Sequence, residues 1–300
     1  MNAPYPNACY LAEPDWLQAH LHDDDVRVID ARFNIEAQAD GRFREVPGRE
    51  GYLHNHIPGA LFVDLNADLA DPQNPDIIIG PEAFEALMSR LGIGPQTTVV
   101  IYDDRGGVWA ARLWWALRYY GHERVKMLNG GLSAWRSAHY PLSDSVETPE
   151  PAFFKARTCP ALRVEKADVL AAITDSQTRI IDALPAYFYL GRAGLYPHHR
   201  KGHIPGARNV PAEDNLDPQS LRILPMEALE RLWRDAAISP DQRVITYCGG
   251  GIYASFALFI LALTGHENAA LYDASWMEWG RDDTLPVQTG RPQPQTRKEP

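Results

Sequence analysis

The feature that most constrains how this 300-residue chain can fold is an internal duplication. Three short segments occur twice in the same order: 28–31 (VIDA) with 180–183 (IIDA), 56–60 with 203–207 (both HIPGA), and 121–123 with 265–267 (both GHE). The two GHE segments start 144 residues apart, and Trp135 and Trp279 have the same separation. Several matches in one order indicate that a single fold is present twice in tandem.

Each copy alternates strand-like with helix-like segments. Runs of β-branched and aromatic residues predict strands at residues 26–30, 97–102, 179–182 and 243–247. Apolar residues at helical spacing predict helices at residues 81–91, 109–120, 225–236 and 254–264. Strands that alternate with helices form parallel sheets covered on both faces. The expected fold class is therefore α/β, with two tandem domains, each a mainly parallel sheet flanked by helices.

Composition divides the chain into four parts. Residues 1–145 hold the first copy and residues 161–285 hold the second, and we expect each to bury its own core. The stretch at 146–160 is rich in Pro, Thr, Ser and Glu, which predicts a linker. Pro, Gln and Arg dominate the end of the chain, so residues 286–300 are predicted to be a disordered tail.

The strongest candidate for chemistry is Cys248, which stands between a predicted buried strand and a predicted buried helix. Three glycines follow it, so the backbone can fold around the sulfur and turn several N–H groups toward it. The N-terminus of the next helix adds partial positive charge. We therefore expect the thiol to ionise more easily than a free cysteine, whose pKa is about 8.5, as a nucleophile requires. A purely structural cysteine is the alternative, but flanking glycines would weaken both elements without improving the packing.

The two copies differ at this position. Aligning Tyr102 with Tyr247 places Asp103 opposite Cys248. A carboxylate is a poor sulfur acceptor, so we expect the first copy to be catalytically inactive. Its predicted role is to form one wall of the site and to contribute charge across the interface.

The remaining repeated residues have structural interpretations. His-Ile-Pro-Gly-Ala is turn chemistry, because proline fixes φ and glycine accepts a positive φ. We expect a structural role for His203, whereas His56 is the better candidate to face the site. Asp30 and Asp182, at strand ends, are expected to bind nearby backbone N–H groups.

Composition also excludes several functions. The formal net charge of −10 and the pI of about 5.5 argue against sequence-independent binding of nucleic acid, which needs a positive face. No signal peptide is visible, and the longest apolar run is too short to span a membrane. Cys9, Cys159 and Cys248 form no CxxC pair, which favours a reducing compartment and argues against a zinc site. We expect a soluble cytoplasmic protein that binds no metal.

The chain resembles the tandem-domain rhodanese (sulfurtransferase) family over roughly residues 10–285. Residues 248–253 match the six-residue loop that opens with the family's catalytic cysteine. Residues 271–279 look like its YDGSWxEW segment and residues 129–135 look like the first-domain counterpart; the two HIPGA units also match. The resemblance implies two rhodanese-like domains, of which the second is catalytic.

The resemblance also implies a double-displacement mechanism. Cys248 takes the outer sulfur of a small donor, thiosulfate or 3-mercaptopyruvate, and keeps it as a persulfide. It then passes the sulfur to a thiophilic acceptor such as cyanide, a thiol or a thioredoxin-like protein. No cofactor is implied, because sulfur itself is the carried group, and backbone N–H groups can hold the anion.

The donor is less well defined. Thiosulfate-type members open the loop with CRKG and mercaptopyruvate-type members with CGSG or CGTG, and CGGG at residues 248–251 is closer to the second pattern. Ile252 and Tyr253 stand where the family usually has Val and Thr, and Gly250 lacks the family's hydroxyl. The loop therefore leans toward the mercaptopyruvate type while the physiological donor stays open.

The segment before the second HIPGA unit departs further. Counting back without gaps, Tyr187 and Tyr196 stand where mercaptopyruvate enzymes have arginines that hold the substrate carboxylate. Arg192 and Arg200 lie in the same segment and could supply replacement charge; a solvated basic turn is the other interpretation. The candidate substrate-binding residues are Gly249, Gly250, Gly251, Ile252, Tyr253, Arg192, Arg200 and His56.

Two other classes compete with this interpretation. A phosphatase of the Cys-x5-Arg kind needs an arginine at the seventh position of the loop, where this chain has Ala254. A non-catalytic rhodanese-like module is the more serious rival, because the substrate-binding side chains of both subfamilies are missing. Cys248 would then be a sulfur carrier or a redox-sensitive thiol.

Overall fold

The computed structural model describes residues 5–37, 43–196, 198–239 and 241–290. The first half contains the strands β1 (Leu11–Ala12), β2 (Val26–Asp30), β3 (Phe33–Ala37), β4 (Phe43–Pro47), β5 (Leu61–Phe62), β6 (Thr98–Tyr102) and β7 (Val125–Leu128). Its helices are α1 (Pro14–His20), α2 (Arg49–His54), α3 (Pro81–Arg90), α4 (Ala110–Tyr119) and α5 (Gly131–Ser137).

The second half repeats this layout. Its strands are β8 (Arg163–Val164), β9 (Thr178–Asp182), β10 (Arg208–Asn209), β11 (Arg243–Tyr247) and β12 (Ala269–Tyr272). Its helices are α6 (Lys166–Ala172), α7 (Ala186–Tyr189), α8 (Met226–Asp235), α9 (Ile252–Leu263) and α10 (Ser275–Trp279). Short 3₁₀ turns occur at Ala8–Tyr10, Pro160–Leu162 and Ala212–Asn215.

Each half forms one five-stranded sheet whose described pairs are all parallel. The strand order is β1-β7-β6-β2-β5 in the first sheet and β8-β12-β11-β9-β10 in the second, so equivalent strands hold equivalent places. The predicted α/β duplication is therefore confirmed. The antiparallel hairpin of β3 and β4 was not predicted, and it lies in the first half only among the described strands.

The two halves meet through α4 and α9. Every residue of α9 from Ala254 to Leu263 is buried, as a helix that is apolar on all sides must be. Trp114 of α4 packs edge-on against Phe259 of α9, with ring centroids 5.0 Å apart. One hydrophobic cluster runs through residues of both halves. Each half also buries a cluster of its own, as predicted, but the cluster around α4 and α9 is shared by both sheets.

The segments outside the two sheets are held against them. Trp279 Nε1 donates to the carbonyl of Pro286, and Gln288 exchanges two backbone hydrogen bonds with His203. The prediction of a disordered tail was thus wrong for residues 286–290, because they cover the end of α10; residues 291–300 lie outside the described residues. In the linker, the Ala152 N–H donates to the carbonyl of Ser89.

The repeated turns behave as predicted. Gly59 and Gly206 both have positive φ angles, 76° and 79°. His203 is buried, stacks on Tyr189 and bonds the Tyr189 carbonyl through Nδ1 at 2.7 Å, which confirms its structural role. Within the described part of the chain, no helix has the length and apolar character needed to cross a membrane.

Candidate active site

Cys248 directly follows β11, the central strand of the second sheet, so it lies at the carboxyl-terminal edge where parallel sheets place ligands. Helix α9 begins at Ile252, two residues earlier than predicted, which leaves a loop of four residues. The last loop residue, Gly251, has a φ of 83°, a left-handed conformation that glycine adopts without strain. The strand, the tight loop and the helix N-terminus together surround the sulfur.

Two of the three glycines are required by close approach of their surroundings. A Cβ added to Gly249 would lie 2.5 Å from Leu195 Cδ2 and 2.9 Å from the Tyr196 hydroxyl. A Cβ added to Gly251 would lie 2.7 Å from Arg112 Nη1 and 2.8 Å from the carbonyl oxygen of Asp273. The loop is therefore clamped on one side by the second half and on the other by α4 of the first.

The N-terminus of α10 holds the loop in place. The Cys248 N–H donates to Ser275 Oγ at 3.1 Å, and the Cys248 carbonyl accepts from the Trp276 N–H at 3.0 Å. The Met277 N–H donates to the carbonyl of Gly249 at 2.9 Å. Sequence reasoning assigned no role to these three α10 residues, although their segment was singled out by its motif. Their spacing in the motif is the signal that could have identified them.

Cys248 as a residue is only 1% exposed. Burial raises the pKa of the Cys248 thiol above its ordinary value, and the Asp182 charge adds to the rise. Hydrogen bonds from the N–H groups of Ala254, Gly251 and Gly250 act in the opposite direction but do not cancel the effect of burial. The expectation of an easily ionised thiol was therefore wrong for the free protein. Loss of water around the sulfur outweighs the backbone dipoles that point at it.

Cys248 opens onto a cavity of about 400 Å³ between the two halves. The second half supplies the loop and one wall, through Leu184, Leu195, Tyr196, Cys248, Gly249, Gly250, Ile252, Tyr253 and Met277. The first half supplies the opposite wall, through Ile35, Asn66, Ala70, Pro75 and Asp76. Four of the predicted site residues therefore line the cavity with Cys248: Gly249, Gly250, Ile252 and Tyr253. Gly251 does not line it and instead lies against Arg112 and Asp273.

The first copy forms one wall of the cavity, as predicted, but Asp103 is not part of that wall. Its side chain is fully buried and accepts four backbone hydrogen bonds of 2.7–2.9 Å within its own loop. The donors are Arg105, Gly107, Trp109 and Ala110. Burial raises the pKa of Asp103 to about 6, with the backbone donors opposing the rise. The first half contributes its wall from β3 and the segment 66–76 instead.

His56 also lies away from Cys248, contrary to its prediction as a site residue. It is fully buried and stacks on Tyr52. Its Nδ1 lies 2.6 Å from the Tyr52 carbonyl oxygen and its Nε2 lies 3.1 Å from the Ser145 carbonyl oxygen. The imidazole fixes the first HIPGA turn, as His203 fixes the second, and neither nitrogen is directed at the cavity.

The two candidate arginines are not brought to the sulfur. Arg200 is occupied by backbone carbonyls, with Nη2 2.8 Å from the Trp279 oxygen and Nη1 2.6 Å from the Leu285 oxygen. A cation that binds carbonyls at the end of a helix is a C-terminal cap, which here completes α10. Arg192 is exposed and is absent from the residues that line the cavity.

Aromatic side chains stand beside the sulfur instead. A second cavity of about 520 Å³ adjoins the first and is lined by Tyr187, Phe188, Tyr196 and Tyr253 together with Ile35, Arg44, Leu184, Pro185 and Leu195. Tyr253 packs edge-on against Trp109 of the first half, with centroids 5.3 Å apart. Burial raises the pKa of the Tyr253 phenol, so its hydroxyl keeps its proton at neutral pH.

A buried ion pair joins the two halves behind the loop. Arg112 Nη1 of α4 lies 2.6 Å from Asp273 Oδ1, and both side chains are almost fully buried. Asp273 Oδ2 accepts from the Ile78 N–H at 2.9 Å, so this carboxylate binds two segments of the first half. Sequence reasoning missed this pair, because nothing in either segment indicates its partner in the other half.

Asp30 and Asp182, at the ends of β2 and β9, bind backbone N–H groups as predicted, but they differ in whether a cation is nearby. Asp30 accepts from the Arg32 N–H at 3.0 Å and pairs with the Arg32 guanidinium at 2.7 Å. Asp182 accepts from the Leu184 N–H at 2.8 Å, but this residue brings no cation. Burial accordingly raises the pKa of Asp182 to about 7, with the donors Leu184 and Tyr247 opposing the rise.

Comparison with protein families places a rhodanese-like domain at residues 13–138 and again at residues 165–282. The chain is similar to the 3-mercaptopyruvate sulfurtransferase of Escherichia coli (strain K12), with 36% identity over 278 residues, 91% of this chain and 96% of that protein. It is also similar to the sulfur carrier protein TtuD of Thermus thermophilus, with 31% identity over 297 residues, 95% of this chain and 99% of that protein.

Among solved structures, the chain is similar to the 3-mercaptopyruvate sulfotransferase SseA of Escherichia coli, with a TM-score of 0.79 and 32% identity. That comparison covers 89% of this chain and 98% of SseA. Sequence and structure thus match over both halves of the chain.

Proposed function

The chain belongs to the rhodanese-like family and is a sulfurtransferase with two such domains, and we propose that Cys248 carries the transferred sulfur as a persulfide. The observation that supports this most is the loop of Cys248. The sulfur faces a cavity, while the N–H groups of Gly250, Gly251 and Ala254 point at it from behind. Residues 1–145 supply a wall and the clamp on the loop but no nucleophile, because the matching position is Asp103.

In the first step the Cys248 thiolate attacks the outer sulfur of the donor. With thiosulfate, the sulfur–sulfur bond breaks, its electron pair leaves with sulfite, and the persulfide anion remains on the protein. With 3-mercaptopyruvate, the carbon–sulfur bond breaks, and the donor's thiol proton ends on the methyl group of pyruvate. In the second step cyanide or a thiolate attacks the persulfide's outer sulfur and releases the Cys248 thiolate.

Burial raises the pKa of the Cys248 thiol, so the resting thiol holds its proton at neutral pH. This proton leaves to solvent before the thiolate attacks the donor. The persulfide is a stronger acid than a thiol, so the same N–H groups hold the anion once the sulfur has been transferred. The positive end of α9 acts in the same direction, as expected for a helix of this length.

The proposed donor is a small sulfur compound, thiosulfate or 3-mercaptopyruvate. The E. coli relative that is named a 3-mercaptopyruvate sulfurtransferase supports 3-mercaptopyruvate as the donor, as does Gly249, the residue that follows Cys248. We extend the proposal to acceptors that include cyanide, a small thiol and the thiol of a thioredoxin-like protein. The free Cys9, Cys159 and Cys248 support a reducing compartment such as the cytoplasm.

Mass spectrometry of the intact protein tests the persulfide. Incubation with thiosulfate or 3-mercaptopyruvate should add about 32 Da, the mass of one sulfur, and later cyanide should remove it. Cys248→Ser should show neither the added mass nor any thiocyanate production. Cys159→Ser is the matched control and should behave like the unmodified protein. An unchanged mass with both donors, at a pH where iodoacetamide alkylates Cys248, would refute the proposal.

A second candidate is a sulfur carrier that accepts sulfur from a partner protein rather than from a small molecule. The similarity to the protein named sulfur carrier protein TtuD favours it. It predicts that Cys248 is persulfidated by a cysteine desulfurase, a class of enzyme that presents a protein-bound persulfide, while thiosulfate and 3-mercaptopyruvate both fail. The same mass measurement with each source separates the two functions.

A further inference from the structure

Transfer of sulfur from 3-mercaptopyruvate needs a proton at carbon, whereas transfer from thiosulfate does not. Sulfite leaves thiosulfate as a stable anion. The pyruvate fragment instead leaves with the electron pair of the broken bond on C3, and this carbon must take a proton to become the methyl group of pyruvate. A positioned general acid speeds such a step by a factor of about 10²–10⁴. The residue that holds this proton beside Cys248 therefore controls much of the rate.

Three polar candidates near the loop are unsuited to this task. Both ring nitrogens of His56 lie against backbone carbonyls away from the cavity, and Gly250 has no side chain. Asp76 lines the cavity, but it is held in an ion pair with Arg281 at 3.2 Å. In the described part of the chain, the remaining titratable side chains that line this cavity with Cys248 are the phenols of Tyr196 and Tyr253.

The hydroxyl of Tyr253 is available to a bound molecule. Among the described residues it has no hydrogen-bond partner, although the side chain is partly buried in the cavity wall. The phenols of Tyr102, Tyr189 and Tyr247, by contrast, each donate a hydrogen bond of 2.7–2.8 Å to another residue. Since polar groups that are removed from water normally have a partner, the Tyr253 hydroxyl indicates a partner in the substrate.

The Tyr253 ring is also held close to the sulfur. It packs edge-on against Trp109, and it is the second residue of α9, which follows the Cys248 loop. Burial raises the pKa of the phenol, and the charges of Glu213 and Cys248 add to the rise while Arg105 opposes it. The contribution of Cys248 means that the phenol and the sulfur interact electrostatically. A phenol that keeps its proton at neutral pH can act as a general acid.

We propose that Tyr253 is the general acid that protonates C3 of the pyruvate fragment when Cys248 takes sulfur from 3-mercaptopyruvate. The inference rests on the proposed persulfide chemistry and adds a catalytic residue to it. The thiolate forms the sulfur–sulfur bond, the carbon–sulfur bond breaks, and its electron pair takes the phenol proton onto C3. The phenolate then removes the proton of the outer persulfide sulfur, because an S–H group is ordinarily a stronger acid than a phenol. Cys248 ends as the persulfide anion and Tyr253 regains its proton, so the total charge is unchanged.

A single turnover of the full chain with 3-mercaptopyruvate and no acceptor, followed by rapid-quench measurement of pyruvate, tests this inference. Tyr253→Phe keeps the ring and its contact with Trp109 but has no proton to give. We expect its rate of pyruvate release to fall at least about 100-fold. Cyanide removes the outer sulfur of the persulfide without protonating a carbon. Tyr253→Phe that has been loaded slowly with excess donor should therefore discharge to cyanide at nearly the unmodified rate.

Tyr140→Phe is the control for loss of a phenol hydroxyl, because Tyr140 donates to the exposed Asp15 at 2.9 Å and does not line the cavity. It should leave both rates unchanged. Tyr196→Phe tests the second phenol of the cavity. A loss confined to pyruvate release in Tyr196→Phe, with none in Tyr253→Phe, would overturn the inference.

Three other outcomes are decisive. Equal losses of pyruvate release and cyanide discharge in Tyr253→Phe would indicate a merely structural role and overturn the inference, as would an unchanged rate of pyruvate release. Persulfide formed from thiosulfate but never from 3-mercaptopyruvate would overturn it and leave the persulfide chemistry intact. Absence of persulfide from every donor would refute that chemistry, and the inference with it.

Discussion

The carboxylate of Asp103 fills in the first domain the same backbone pocket that the sulfur of Cys248 fills in the second. Each residue follows a central strand whose last tyrosine pairs in register with an aspartate, Tyr102 with Asp30 and Tyr247 with Asp182. The Asp103 carbonyl accepts from Leu132 as the Cys248 carbonyl accepts from Trp276. In the first loop the Asp103 carboxylate already occupies the backbone N–H groups, whereas in the second loop those groups are directed at the Cys248 sulfur.

The resting thiol should titrate above a free thiol. In a Cys9→Ser, Cys159→Ser background, the rate of alkylation of Cys248 by iodoacetamide should reach half its maximum at a higher pH than that of glutathione. Burial is the cause, because it raises the pKa of Cys248. A midpoint below that of glutathione, measured by stopped-flow alkylation, would show that the backbone donors outweigh burial.

Gly251→Ala should reduce turnover about 100-fold, since a displacement near 1 Å at the nucleophile has an effect of that order. The new Cβ would meet Arg112 and the Asp273 backbone in addition to the strain of a positive φ. Gly59→Ala is the matched control, because Gly59 also has a positive φ but has no atoms within 4 Å of its would-be Cβ. Gly59→Ala should lower the free energy of unfolding by about 1 kcal/mol and leave the turnover rate unchanged. Equal loss of turnover in both variants would contradict the clamp on the loop.

Arg112→Met should lower the free energy of unfolding by about 3 kcal/mol, because it removes the nearer of two cations from the buried Asp273 carboxylate and leaves only Arg163 Nε, 3.9 Å from Oδ2. Arg105→Met breaks another pair between the halves, with Glu213, in which both side chains are 49% exposed. That variant should lose less than about 1 kcal/mol. Urea denaturation at neutral pH measures the free energy of unfolding of both variants. Similar losses would show that the buried Arg112–Asp273 pair stabilises the fold no more than the exposed Arg105–Glu213 pair does. The double variant Arg112→Met, Asp273→Asn should regain part of the loss.

Stability should fall as the pH rises from about 4 toward 7, where burial places the pKa of Asp182. The folded protein keeps a proton that the unfolded chain has released, so above the unfolded pKa each rise in pH favours unfolding. The slope from one such group is at most about 1.4 kcal/mol per pH unit. Asp182→Asn should remove this part of the slope, whereas Asp103→Asn should remove a part that ends near pH 6. An unchanged slope in Asp182→Asn, from urea titrations at several pH values, would contradict the assignment.

Much of the fold followed from local patterns. Strand β11 has the predicted bounds, and β6 and α3 differ from prediction by one residue, because periodic apolar runs and turn residues determine them directly. The cysteine and the three glycines after β11, rather than the internal repeat, predicted where the candidate nucleophile lies. The start of α9 was placed two residues late, since glycine-rich loops give no local sign of where the first helical turn begins.

The side-chain arrangement of the site was less predictable. His56 and Arg200 were chosen because their residue types suit the chemistry, yet both are occupied by backbone carbonyls. The carbonyls of Ser145 and Trp279, which contact His56 and Arg200, come from distant segments and leave no trace in the local sequence. The pKa of Cys248 was misjudged for a related reason. A helix N-terminus can be recognised from sequence, but the loss of water around one sulfur depends on every segment that covers it.

The packing of α4 on α9 makes the two halves one cooperative unit. A protein cut at the linker would expose the apolar helix α9 on one fragment and the largely apolar face of α4 on the other, so we expect neither piece to remain monomeric in water. The first copy is therefore needed to keep water from α9 of the second, although it has Asp103 rather than a cysteine at the equivalent position.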